Sequence, residues 1–340
     1  MAKNDFEHLT LDYVKTDKRY VSIYKNGEWD SGALVDDEII HINESAAVFQ
    51  YAQTIFEGLK AYTTKNGNIV VFRPDLNAER FYNTAERLVM PPFPKDRFVS
   101  AVMETVKANK DYVPPYGKKG SLYIRPFMIG SGPVINVVPA NEYQFRIFTS
   151  PMGSYFDAVS MSMKLNLSDY DRAAPHGTGH VKAGLNYAMS YYAGYTAKKQ
   201  GFNENMYLDA ATHTYVEESG GANIIFVNKD GTLIVPKSDT ILPSITRRSL
   251  IYIAKEYLNI KVEERPVEFK EIIDFEECGL CGTAAVISPV GSVHTKNGDI
   301  VFKDSNHGLG PIMKKLFETY TGIQKEEIEA PRGWLLYINA

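Results

Sequence analysis

Cysteine and tryptophan are scarce in this 340-residue chain, with two of each. Two cysteines cannot build a disulfide framework, so a reducing compartment is the economical expectation. No run of about 18 apolar residues occurs, and the first twenty residues lack the apolar core of a signal peptide. Neither sign of charge dominates: 37 Lys and Arg against 41 Asp and Glu give a net charge of −4. Nothing general therefore attracts nucleic acid or an anionic membrane, and a cytoplasmic protein with no nucleic-acid or membrane partner is expected. Several reaction motifs are missing too. There is no Gly-x-x-x-x-Gly-Lys-Ser/Thr loop and no Gly-x-Ser-x-Gly elbow. Gly177-Thr-Gly179 lacks a preceding apolar strand and a third glycine in register. His176 and His180 are separated by two glycines, which spoils the helix face a metal pair needs, and no metal is expected.

What is abundant is tyrosine, 22 residues beside 17 Phe. Its flat apolar face and polar tip suit a pocket for a small, partly polar ligand. Asn26-Gly27, Asn66-Gly67 and Asn297-Gly298 signal hairpins. Apolar spacing predicts helices over 75–90, 96–110, 183–200, 244–258, 270–277 and 310–320. Strands are expected over 20–24, 29–35, 59–63, 69–72, 121–129, 143–149, 158–165, 206–209, 215–218, 222–227, 232–235 and 261–267. Pro151-Met152-Gly153-Ser154 reads as a linker. The expected organisation is therefore a small N-terminal α/β domain, 1–153, and a larger C-terminal domain, 154–340.

Lys182 sits between a glycine-bearing loop and a helix start, flanked by Ala183 and Gly184. An amine there could form a Schiff base with a flat ligand. Tyr187 lies five residues on. Glu217 and Glu218 stand before Gly220-Gly221; Glu218, nearer the apolar run, could keep a ring nitrogen protonated, whereas Glu217 reads as a solvated turn acid. Pro243-Ser244 marks a helix start whose Ile245 and Thr246 amides could face an anion. Thr283 lies in a small-residue turn, and Arg80 could add a fixed cation. Amine, phenol, carboxylate and phosphate cup together match the needs of pyridoxal phosphate.

With these pieces in order, the chain resembles the branched-chain aminotransferases of the fold-type IV pyridoxal-phosphate enzymes. The resemblance runs through Tyr51-Ala-Gln-Thr-Ile-Phe-Glu-Gly-Leu-Lys60, Phe72-Arg-Pro-Asp-Leu-Asn-Ala-Glu-Arg80, Leu122-Tyr-Ile-Arg-Pro126, the 182–187 and 218–226 segments, 241–247 and 282–289. It implies an α+β, two-domain fold like that of D-amino acid aminotransferase, with a mixed α/β small domain and a larger β-rich domain carrying the lysine. It implies Lys182 as the covalent and catalytic residue, Tyr187 at the ring oxygen and Glu218 at the ring nitrogen. Arg80, Ile245, Thr246 and Thr283 would bind the phosphate. Thr283 and Ala284 would take the substrate carboxylate. Tyr51, Phe56, Tyr123 and Tyr155 would wall the side-chain pocket, and Arg125, with Tyr51, would meet glutamate's distal carboxylate. A homodimer is implied, each site completed by the other subunit's 130–141 loop through Ile135 and Val137.

The implied reaction moves the α-amino group of L-leucine, L-isoleucine or L-valine to 2-oxoglutarate, giving 2-oxo acids and L-glutamate. Alternatives on the same fold are a D-amino acid transaminase, an aminodeoxychorismate lyase or a catalytically silent cofactor-binding protein. Lys60, inside one matching stretch, reads as supporting rather than covalent. Cys278 and Cys281 form a lone Cys-x-x-Cys and read as small core residues. The mammalian redox pair would fall at Ala285 and Ser288, so that regulation does not carry over.

Overall fold

The computed structural model describes residues 6–153 and 161–338. By contacts the chain divides into two units: residues 1–154 with 181–185 and 323–340, and residues 155–180 with 186–322. The short segment around Lys182 thus packs with the N-terminal part, although it follows the linker in sequence.

The first unit is built on an antiparallel hairpin sheet covered by two helices. Strand β1 (Arg19–Lys25) pairs with β2 (Glu28–Trp29) through the Asn26-Gly27 turn, both of whose residues have positive φ, and with β3 (Ala33–Val35). The expected single strand over 29–35 is broken because the Asp30 carboxylate turns back to the amides of Ile23 and Gly32, both at 3.0 Å. Helix α1 (Ala47–Tyr51) and β4 (Thr54–Phe56) follow, then the hairpin β5 (Leu59–Thr63) and β6 (Ile69–Phe72).

Helix α2 (Pro74–Arg87) opens with proline, whose missing N–H costs nothing at that position. With α3 (Lys95–Ala108) it covers β7 (Ser121–Gly130) and β8 (Tyr143–Met152). Leu122, Ile124 and Met128, on one face of β7, are fully buried. Phe93 stacks on Phe145 at 4.0 Å between ring centres, with Phe81 and Phe98 against the same ring. The C-terminal strand Leu335–Tyr337 pairs with β6. Pro151 and Met152, expected in a linker, continue β8 and pair with β7. Gly153 is pinned behind them, its N–H bonded to the Thr10 carbonyl at 2.9 Å.

The second unit is a closed ring. Its strands are β9 (Met163–Leu167), β10 (Glu204–Leu208), β11 (Val216–Ser219), β12 (Asn223–Asn228), β13 (Leu233–Pro236), β14 (Val262–Arg265), β15 (Phe275–Gly282), β16 (Val286–Thr295) and β17 (Gly298–Val301). The order β11-β10-β9-β16-β15-β12 closes on itself because Glu218 of β11 pairs with Asn223 of β12. The expected 183–200 helix is two, α4 (Gly184–Met189) and α5 (Tyr191–Lys199), parted at Ser190. Helices α6 (Ile245–Glu256) and α7 (Pro311–Gln324) follow the expected positions.

The expected 270–277 helix is replaced by a 3-10 segment, Phe269–Asp274, running into β15. The reason is long-range: the buried Glu277 carboxylate accepts from the Ile312 and Met313 amides, both at 2.9 Å, and so caps α7. Phe275–Glu277 then extend along β12 rather than coil. Among the described residues, no helix is long and apolar enough to cross a membrane.

Candidate active site

In the first unit, β4 and β7 set a row of side chains on one sheet face. Phe56 lies opposite Phe127 and Lys60 opposite Tyr123, so the two-residue strand period places Phe56, Lys60, Tyr123 and Arg125 together. Arg125 donates from Nη2 to the Tyr123 hydroxyl at 2.7 Å. Its guanidinium lies 4.8 Å from the Phe56 ring centre and 5.1 Å from that of Tyr123, and its buried Nε has no hydrogen-bond partner among the described residues. Gly58 makes room for this: a Cβ there would come within 2.4 Å of the Tyr123 hydroxyl.

Lys182 joins the row. Its Nζ stands 4.7 Å from the Phe56 ring centre, close enough for cation–π attraction. Its backbone is clamped on both sides, the carbonyl accepting from Phe56 N–H at 3.1 Å and the N–H donating to Thr84 Oγ1 at 3.2 Å. Ala183 bridges to Ile55, and Gly184 lies so close to Thr54 that a Cβ would approach its methyl to 2.7 Å. Small residues after Lys182 are therefore a packing requirement.

Arg80, on α2, uses Nε and Nη2 in a two-point pair with Glu57, both contacts 2.7 Å, and Glu57 Oε2 also accepts from Asn77 at 2.7 Å. Both charged groups are buried. Sequence reasoning missed Glu57, although it lies inside a motif that carried the resemblance. Tyr51 is half exposed and its hydroxyl donates to the Ile135 carbonyl. Tyr51, Leu88, Val137 and Leu185 share a cavity of 230 Å³. Ile135 and Val137 are themselves 83% and 86% exposed. Tyr155 lies outside the described residues.

Lys60 is half-buried, and desolvation of its ammonium pushes its pKa down to about 8.

In the second unit, Glu218, Asn223 and Cys281 form one cross-strand row over β11, β12 and β15. The Glu218 carboxylate is almost wholly enclosed. Its Oε1 accepts from the Leu242 amide at 2.9 Å and meets Arg172 Nη2 at 2.6 Å; its Oε2 accepts from Asn223 Nδ2 at 2.7 Å. Burial raises its pKa, against the pull of Arg172, the Leu242 amide, Arg247 and Asn223. Glu217 is not a solvated turn acid. It is buried, accepting from Thr240 and from Ser238 at 3.1 Å.

Arg172 was also missed, for it stands in a polar loop without apolar period. Its Nη2 also donates to the Thr240 carbonyl at 2.7 Å. Thr178 and Asn186 exchange two bonds of 2.7 Å, which anchors the start of α4 just before Tyr187. Helix α6 begins with Ser244 accepting from the Arg247 amide at 3.2 Å. Ile245 and Thr246, both buried, carry first-turn amides that precede any helical acceptor. Thr283 and Ala284 occupy the turn between β15 and β16, and Val286 beyond them has φ 63°. A β-branched residue in that region costs about 1–3 kcal/mol, and such strain gathers at functional sites. Cys278 and Cys281 are buried free thiols, the latter pushed up to about 12 by burial.

The donor set fits pyridoxal phosphate. A carboxylate offers about four acceptor positions; Leu242, Arg172 and Asn223 use three at Glu218, which leaves one for a ring N–H. A helix N-terminus supplies amides for a dianion.

The model of the amino-transferase class IV family matches residues 54–293, and the chain belongs to that family. The branched-chain-amino-acid aminotransferase of Haemophilus influenzae is 46% identical over 343 residues, spanning 99% of this chain and 100% of its own. A solved branched-chain amino acid aminotransferase from T.th., with pyridoxamine 5'-phosphate, has TM-score 0.80 at 28% identity, covering 96% of this chain and 100% of its own. The same enzyme complexed with N-(5'-phosphopyridoxyl)-L-glutamate has TM-score 0.77 at 27% identity, with the same coverage. Within the class, the chain stands among the branched-chain-amino-acid aminotransferases, transaminases that depend on pyridoxal 5'-phosphate.

Proposed function

We propose that the protein transfers the α-amino group of L-leucine, L-isoleucine or L-valine to 2-oxoglutarate, as a homodimer in the cytoplasm. The observation that carries this is the Phe56–Tyr123–Arg125 row. It offers an aromatic wall to a branched apolar chain and a cation to glutamate's second carboxylate. A relative captured with a phosphopyridoxyl-glutamate adduct supports glutamate as one partner in the exchange.

Lys182 is the residue that would hold the cofactor covalently, and its amine would move the proton from the substrate α-carbon. The cofactor supplies, when bound, a ring that accepts the electron pair left at that carbon. Glu218 keeps the ring nitrogen protonated and Tyr187 donates to the ring oxygen. The amides of Ile245 and Thr246, with the hydroxyls of Thr246 and Thr283, bind the phosphate. Arg80 adds a fixed positive charge, oriented by Glu57 through Nε and Nη2. The Thr283-Ala284 turn takes the substrate carboxylate. Tyr51, Phe56, Tyr123 and Tyr155 enclose its side chain, with Ile135 and Val137 contributed from the other copy. The high exposure of those two apolar residues supports their role at a subunit contact.

The test is spectroscopic. L-leucine should shift the visible absorption of the lysine-bound cofactor, and 2-oxoglutarate should restore it. Lys182→Ala should lose that absorption and its trapping by borohydride; a variant that keeps both assigns the link to another lysine.

A further inference from the structure

We propose that Arg172 is a positioning residue that holds Glu218 as an oriented, ionised carboxylate for the cofactor's ring nitrogen. The inference rests on the proposed pairing of Glu218 with that nitrogen. Its basis is the geometry of one buried cluster. Arg172 meets Glu218 Oε1 at 2.6 Å, and the two side chains are 6% and 4% exposed. The same Nη2 bonds the Thr240 carbonyl at 2.7 Å, two residues before the amide of Leu242, which also reaches Glu218. One guanidinium therefore ties the loop that delivers α6 to the acid on β11.

A carboxylate this enclosed favours its neutral form unless a cation lies beside it. Neutral, it would carry its own proton and could not keep a ring nitrogen charged. The other groups facing it do not replace Arg172. Asn223 and the Leu242 amide are neutral donors; Arg247, on α6, acts on it through its field. Cys281 on β15 is a protonated thiol, and Glu217, beside Glu218 on β11, is an acid that accepts from Thr240 and Ser238 and also feels the Arg172 charge. Arg172 Nε is buried with no partner among the described residues. That cost is tolerated at a site where the guanidinium is fixed by what Nη2 holds.

The decisive variant is Arg172→Gln, which keeps an amide donor for the Thr240 carbonyl and removes the charge. Melting temperatures of the cofactor-free protein would be measured from pH 5 to pH 8, alone and in a Glu218→Gln background. Without Arg172 the Glu218 carboxyl holds its proton to higher pH. The loss of stability should therefore grow as pH rises, and Glu218→Gln should shrink this growth to the part that Glu217, which also feels Arg172, supplies. Affinity for pyridoxal 5'-phosphate, titrated by absorbance, should fall at least tenfold, and Arg172→Lys should recover part of it. A loss equal at every pH and in both backgrounds would make Arg172 a loop tie only and overturn the proposal. If Arg172→Gln does not fold, Arg172→Lys decides: a parental pH profile supports the charge role, and a uniform loss removes it. A pH-dependent loss with cofactor affinity untouched by Glu218→Gln would leave the Arg172–Glu218 coupling standing and remove the ring-nitrogen reading alone.

Discussion

Arg125 donates to the hydroxyl of Tyr123, its neighbour two residues back on the same strand face, at 2.7 Å. The pairing holds a long, flexible cation over the Phe56 ring, so less side-chain entropy is left to lose when an anion arrives. An apolar ligand there meets ring faces and methylenes, while a carboxylate meets prepaid charge. Two unlike side chains can then be served by one wall without rearranging it.

Arg125→Met should lower kcat/KM for glutamate by about ten- to a hundredfold, the range of one charge-assisted hydrogen bond. The loss for leucine should be several times smaller. Steady-state kinetics with both amino acids checks this. Equal losses would show that Arg125 supports the fold of the wall and does not choose between substrates.

Glu57→Gln should destabilise the first unit strongly. The pair with Arg80 is buried and made through two 2.7 Å contacts, and removing one charge leaves the other enclosed without its opposite. Breaking such a pair costs about 3–5 kcal/mol. Denaturant melts of the parent, Glu57→Gln and the double variant with Arg80→Met test the mechanism. The double variant should recover part of the loss; if it is worse than the sum of both singles, the charge explanation is wrong.

Lys60 links stability to pH. Its folded-state value near 8 lies below the 10.5 of an exposed lysine. Between those values the unfolded chain binds more protons than the folded one, so this group makes stability rise with pH. Lys60→Met should remove the slope. The variant's melting temperature relative to the parent should therefore stand higher at pH 7 than at pH 10. A difference independent of pH would mean that the Lys60 amine is not what titrates.

Local chemistry made much of the fold legible. The Asn26-Gly27 and Asn66-Gly67 turns could be read because Gly27 and Gly67 take φ of 91° and 80°, a conformation those pairs favour. Helix α2 was visible because its buried Leu76, Phe81 and Ala85 recur at helical spacing. Where long-range bonds decide, the pattern misled. The 270–277 segment has helical spacing, yet Glu277 is drawn into a strand by amides 35 and 36 residues away.

The candidate site divides the same way. Lys182, Glu218 and Arg125 stand in motifs with distinctive neighbours. Arg172 and Glu57 do not announce themselves, because their meaning lies in partners 46 and 23 residues distant. An arginine in a polar loop and a glutamate at a strand end are ordinary solvated residues until the chain folds. Only the packing shows that each is a buried counter-ion.

The Glu218–Asn223 pairing that completes the ring of strands has an evolutionary consequence. The strand that shuts the barrel also bears the proposed acid, whose side chain adds a bond to Asn223 across the same seam. On the proposed role of Glu218, drift at position 218 would touch the chemistry and that cross-strand bond together. New specificities on this scaffold have to be won elsewhere, on the hairpin sheet around Phe56, where side chains can be exchanged without unfastening the seam.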